Sequence, residues 1–188
     1  TLYTVKEIKG LNTTYGAFNK TVYDNTEVIK VSDGIEIIGH GAFYGLKNLK
    51  KITLPKSLKK IGSYAFYNCI SLLSINSYEL NKVETIGAYS FYSCTSLKRF
   101  YVSPLIKALG SNTFYKCTSL ETLYLRNIEI LNYYSLCGCS ALTNIDFSKV
   151  KIFSYYSCAR IGAAKADLRS AKYFHQYAFS SSSLIQMD

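Results

Sequence analysis

Leu49-Lys50-Lys51-Ile52-Thr53-Leu54-Pro55-Lys56-Ser57-Leu58-Lys59-Lys60-Ile61-Gly62-Ser63-Tyr64-Ala65-Phe66-Tyr67-Asn68-Cys69 decides the fold of this chain, because its side-chain pattern keeps coming back. The frame Ile61 to Cys69 returns at Ile86 to Cys94 and again at Leu109 to Cys117. Registered on Phe66, nearly the whole chain falls into line at Phe18, Phe43, Phe91, Phe114, Leu136, Cys158 and Phe179, at intervals of 21 to 25 residues. A unit of that size cannot bury its own apolar face, so it must stack on its neighbours, and the chain reads as a solenoid.

Six residues after Phe43, Phe66, Phe91, Phe114 and Leu136 stands a leucine: Leu49, Leu72, Leu97, Leu120 and Leu142. Each opens a stretch that alternates at its end, placing Ile52 and Leu54 on one face and Lys51 and Thr53 on the other, which predicts one short parallel strand per repeat. Gly39, Gly62, Gly87 and Gly110 recur four residues before the aromatic position and mark a tight turn. Ser63 and Ser111 follow, placed to cap a short helical turn. The expected fold is an α/β solenoid of about eight rungs, with a parallel sheet on the concave side and short helical or 3-10 turns on the convex side.

The motif L-x-x-I-x-L-P-x-x-L-x-x-I-G-x-x-A-F-x-x-C resembles the BspA-like class of leucine-rich repeats found in surface proteins of bacteria and some parasitic protists. The match is nearly complete in Leu49 to Cys69 and extends over residues 13 to 185. Pro55 has no successor in its column except a displaced Pro104, and the unit Cys158 to Leu168 has lost both its Phe and its Leu. The resemblance implies a non-enzymatic adhesin-like protein, at the cell surface or secreted, that binds a protein partner of the host matrix or of neighbouring cell surfaces. Residues 1–188 read as one solenoid, with an irregular first repeat over 1–35 and regular repeats over 36–185. The chain opens at Thr1 and carries no recognisable polar capping repeat, so it is expected to be a piece of a longer protein.

Chemistry-bearing motifs are few. His40 and His175 have no clustered partner, and no catalytic, nucleotide, cofactor or metal motif occurs; the reading is not an enzyme, with no cofactor. Cys69, Cys94, Cys117 and Cys139 keep the repeat. With rungs about 4.8 Å apart and disulfide Cβ atoms needing about 3.8 Å, they are expected to be free, buried thiols. Cys137 stands instead in the column of Tyr67, Tyr92 and Tyr115, which would expose it. The apolar residues, 48% of the chain, form no block long enough for a membrane helix.

The excess of 22 Lys+Arg over 12 Asp+Glu gives a net charge of +10. It concentrates in Lys47, Lys50, Lys51, Lys56, Lys59 and Lys60, with no acid between Glu36 and Glu79. This is either a patch for anionic partners such as sulfated glycans, acidic proteins, phospholipid headgroups or nucleic acid or a solvated face that keeps the solenoid soluble. The lysine bias and the lack of any nucleic-acid module argue against nucleic acid. The 18 tyrosines fall partly into two columns. Tyr44, Tyr67, Tyr92 and Tyr115 make one, and Tyr64, Tyr89, Tyr134, Tyr156 and Tyr177 the other. They pack between rungs or offer a sticky surface, and exposure separates the two.

Outward strand positions form a grid: Lys51 and Thr53; Ser74 and Asn76; Arg99, Tyr101 and Ser103; Thr122, Tyr124 and Arg126; Asn144 and Asp146; Lys165, Asp167 and Arg169. Its centre, Arg99, Tyr101, Tyr124 and Arg126, holds the residue types that dominate binding hot spots. The sequence therefore points to a protein partner on the concave face; an anionic-glycan binder through the lysines, or a structural spacer in a repeat array, are the alternatives. Oligomeric state is left open. Two sequons, at Asn12 and Asn19, lie in the first repeat and would carry glycans only in a secreted eukaryotic protein.

Overall fold

The structure, a computed structural model, describes residues 7–8, 25–184 and 186–187. Phe18 and the two sequons lie outside them. Over the described residues the chain winds as a parallel β-solenoid of about six turns rather than eight rungs. The positions from Phe43 to Phe179 bound those closed turns.

Most regular turns carry two short strands, not one, and the turn of Leu142 keeps only a bridge at Asn144 in place of the first. The first belongs to the leucine stretch: Val28–Lys30, Lys51–Thr53 and Ser74–Ile75 pair in order, as do Arg99–Tyr101 and Thr122–Tyr124. The second is the pair before the glycine column, as in Ile37–Ile38, Lys60–Ile61, Thr85–Ile86 and Ala108–Leu109, and then Ile130–Leu131, Ile152–Phe153 and Tyr173–Phe174, where Asn132, Ser154 and His175 take the glycine's place. Lys60 is exposed and Ile61 buried, so this strand does obey a period of two, but over only two residues.

The remaining side of each turn is a ladder of hydrogen-bonded turns, and the expected helices are absent. Among the described residues the only helix given bounds is a 3-10 turn at Ser77–Glu79. The reason is backbone handedness. Tyr64 and Asn68 have φ of 58° and 56°, two residues before and two after Phe66, and Tyr89 with Ser93 and Asn112 with Lys116 repeat the arrangement. A left-handed residue costs an L-amino acid roughly 1–2 kcal/mol and stops any α-helix. Here it turns alternate N–H groups along the stack: Phe43 N–H donates to the Ala65 carbonyl (2.8 Å), Phe66 to Ser90 (2.7 Å) and Phe91 to Thr113 (2.9 Å). The N–H groups between them, as at Ala65 and Tyr67, bond back within their own turn to Gly62 and Tyr64. Gly62 and Gly87 are not left-handed. They are glycines because adjacent turns touch there: a Cβ on Gly62 would fall 2.6 Å from the Gly39 carbonyl carbon, and one on Gly87 would strike the Ser63 backbone.

Inside, Phe43, Phe66, Phe91 and Phe114 are fully buried and stack at 5.2, 5.0 and 5.3 Å. Where Leu136 and Cys158 take over this column, Phe147 and Phe153 bring buried rings from other positions. The cysteine column donates rather than merely fills. Cys69 Sγ reaches the Phe43 carbonyl, Cys94 that of Phe66, Cys117 that of Phe91 and Cys139 that of Phe114, each at 3.1 Å. All six cysteines are free, and burial pushes the Cys69 and Cys117 thiols up to about 12, so they stay protonated donors. Cys137 is buried too, against the expectation of exposure. A thiol is too short to reach solvent where a phenol does, and burial raises it, with Arg160 and Lys116 close enough to oppose the shift.

Candidate functional site

The two strands Arg99–Tyr101 and Thr122–Tyr124 lie side by side with Thr122 opposite Arg99 and Tyr124 opposite Tyr101. Their phenol rings stack at 4.3 Å and 12°, and the hydrogen bond between them is the main cause raising the Tyr101 phenol. Two residues further, Arg126 has a left-handed φ of 54°. Its Nη1 donates to Asn81 Oδ1 at 3.2 Å, 45 positions back along the chain. Arg99 and Arg126 are exposed and have no acid in ion-pair reach among the described residues, so the predicted quartet comes together as a cationic, aromatic surface.

Tyr78 joins it edge-on to Tyr101 (6.3 Å, 73°), a member the sequence grid missed. It rides on the 3-10 turn Ser77–Glu79, which takes up the extra length of the Phe66 to Phe91 repeat relative to the one before it. The strand ladder breaks there, and side chains replace it. Leu54 N–H donates to Asn76 Oδ1 and Asn76 Nδ2 to the Leu54 carbonyl, both at 2.8 Å, and Tyr101 N–H donates to Ser77 Oγ at 3.0 Å. Asn76, a grid candidate, is thus tied into the backbone. The unusual repeat length was the signal that could have located both residues.

Other grid positions divide the same way. Lys51, Ser74, Asn144, Asp146 and Lys165 are exposed, Thr53 and Thr122 half-buried. Ser103 is buried, with its hydroxyl donating to the Asn81 carbonyl at 3.2 Å. Asn144 is held by a parallel bridge to Thr122. Arg169 grips Asp167 through Nε (3.0 Å) and Nη2 (2.6 Å), which holds that carboxyl down at about 2. Beyond Tyr124 opens a cleft of about 370 Å³, lined by Thr122, Tyr124, Arg126, Asn144 and Asp146 among others.

The lysine cluster is less uniform in space than in sequence. Lys51 lies on the first sheet and Lys60 on the second. Stacking brings acids from neighbouring turns beside three members: Lys50 to Glu27 (2.9 Å), Lys59 to Glu36 (3.4 Å) and Lys56 to Glu79 (3.8 Å). Lys47, Lys51 and Lys60 have no such partner among the described residues. Lys59 belongs to a column of alternating charge, Glu36, Lys59, Glu84, Lys107, Glu129 and Lys151, seven residues before the aromatic position. Lys151 bonds Glu129 at 2.6 Å and, with the nearby Lys107, holds its carboxyl below the usual range.

The tyrosine columns do stack. Tyr44, Tyr67, Tyr92 and Tyr115 follow at 4.8, 4.6 and 4.7 Å and are half-buried, so packing between turns occupies their faces. The other column is half-buried at Tyr64 and Tyr89 but exposed at Tyr134 and Tyr177.

Residues 14–124 and 74–186 match the family described as BspA type leucine rich repeat region, in 6 copies. No curated protein matches the sequence significantly. Among solved structures, the fold is similar to a leucine rich repeat protein of T. pallidum, with a TM-score of 0.77 and 24% identity, covering 94% of this chain and 81% of that one. It is also similar to a leucine rich cell surface protein of Faecalibacterium prausnitzii A2-165 (TM-score 0.60, 20% identity, 88% of this chain and 48% of that one). A leucine-rich repeat protein of Eubacterium ventriosum ATCC 27560 gives a TM-score of 0.61 at 24% identity, over 85% of this chain and 44% of that one. The chain spans less than half the length of these last two.

Proposed function

The chain belongs to the BspA-type leucine-rich repeat family, and from that premise we propose that it is a non-enzymatic recognition module of a cell-surface or secreted adhesin-like protein, binding a protein partner through the outer face of its first sheet. The observation that carries this is the quartet Arg99, Tyr101, Tyr124 and Arg126: two stacked rings flanked by two exposed guanidinium groups. Rigid aromatic and arginine side chains give large contact area at small entropic cost. The printed description of the F. prausnitzii protein as a cell surface protein supports the location. Retention on immobilised extracellular-matrix protein tests it. Tyr101→Ala with Tyr124→Ala abolishes retention while Lys47→Ala leaves it intact; equal retention of the double variant removes this face as the site.

A second reading, binding of anionic glycans, rests on Lys47, Lys51 and Lys60, which have no acidic partner among the described residues. It requires steep weakening with salt, read as elution from immobilised heparin. Because half of the six lysines already face carboxylates, that reading stands behind the first.

A further inference from the structure

We propose that the cleft beyond Tyr124 binds a single neutral saccharide unit, its ring lying on the free face of Tyr124 and its hydroxyls bonded to Asp146 and Asn144. Tyr101 covers one face of the Tyr124 ring at 4.3 Å and is itself braced edge-on by Tyr78. The ring is therefore held in place before any ligand arrives, yet remains 46% exposed. In the next turn the equivalent position is Asp146. A carboxylate cannot continue a ring stack, and among the described residues no ring other than Tyr101 packs on Tyr124. Asn144 and Asp146, both of that following turn, line the cleft of about 370 Å³ that results, a size within the range of small-molecule sites, roughly 300–1,000 Å³.

The lining selects the ligand class. Ser148 N–H donates to Asp146 Oδ1 at 2.8 Å, which orients the carboxylate and leaves its other oxygen as an acceptor. The Asn144 amide both donates and accepts, as does the Thr122 hydroxyl. A pyranose offers the complement: one apolar C–H face for an aromatic ring and a belt of hydroxyls that donate and accept. Arg126 and Asp146, of opposite charge, share the rim, so neither an anion nor a cation is favoured by net charge. Arg126 is moreover drawn back towards Asn81. A second cleft of about 360 Å³, lined by Lys30, Asp33, Thr53, Pro55 and Glu79 among others, has similar room and polar groups but no aromatic ring; it serves as an internal control. The inference goes beyond a protein partner on the quartet, since the sugar takes the face of Tyr124 turned away from Tyr101, together with Asn144 and Asp146, which lie outside the quartet.

Saturation-transfer NMR on the intact chain with methyl glycosides of glucose, galactose, mannose and N-acetylglucosamine tests it. At least one sugar receives saturation on its ring C–H protons, with a Kd on the order of 1 mM. The signal disappears in Tyr124→Ala, falls at least tenfold in affinity in Asp146→Ala, and persists in Glu79→Ala at the control cleft and in Arg99→Ala on the protein-binding surface. Melting temperatures identify any variant that has not folded, and the exposed Asp146→Asn serves in that event. No transfer to any of the four sugars, transfer that survives Tyr124→Ala, or binding of N-acetyl-lysine methylamide in place of sugar overturns the proposal.

Discussion

In the turn ladder, Phe43, Phe66, Phe91 and Phe114 stand in one column, Cys69, Cys94, Cys117 and Cys139 in another, and left-handed residues flank the aromatic position in turn after turn. On the outer face of the first sheet the corresponding column reads Lys51, Ser74, Arg99, Thr122, Asn144 and Lys165. Both belong to the same repeat. They differ because a ladder residue touches its own counterpart above and below, so one shape must fit every turn, while an outward side chain meets water and is free to change. Uniform columns hold the solenoid; changing columns are where recognition can be placed.

Large effects are expected where the column is uniform and buried. Phe91→Ala, in mid-stack between Phe66 and Phe114, should cost about 3–5 kcal/mol in urea unfolding; a loss under about 1 kcal/mol would mean that the aromatic column is not the frame. Asn76 sharpens the comparison from the other side, because it sits on the variable face but holds Leu54 N–H and carbonyl. Asn76→Ala should cost about 2–3 kcal/mol through those unpaired groups, whereas the exposed Asn144→Ala should stay within about 0.5 kcal/mol. Equal costs would erase the distinction between tied and free outward positions. The smallest effect falls on the charge column. Glu129, held low chiefly by its bond to Lys151, stabilises the fold fully above the ordinary carboxylate pKa and loses that contribution as pH falls through its lowered value. The melting-temperature gap between the parent protein and Glu129→Gln should therefore be small at pH 7, shrink with added salt, and close in acid.

The stacking, its period and the buried columns were legible in the sequence because each recurs with the same residue type. The second strand was not, since Lys60–Ile61 spans two residues and ends at a glycine that looked like a turn. The turn ladder was misread as helical, because left-handed tyrosines, asparagines and serines carry no compositional mark comparable to glycine. Of the candidate site, the outward placement of Arg99, Tyr101, Tyr124 and Arg126 was legible from alternation alone. Tyr78 and the structural ties of Asn76 and Ser103 were hidden by the two-residue lengthening that moves them out of register, or by hydrogen bonds to other turns.

Thermal unfolding of Tyr101→Ala/Tyr124→Ala beside Phe91→Ala tests the division most directly. The account predicts that Phe91→Ala lowers the melting temperature by about 10 °C, taking about 2–4 °C per kcal/mol for a chain of this size, while the double tyrosine variant stays within a few degrees of the parent. Comparable losses in the two would contradict it, because the outer face would then be part of the frame rather than a surface free for binding.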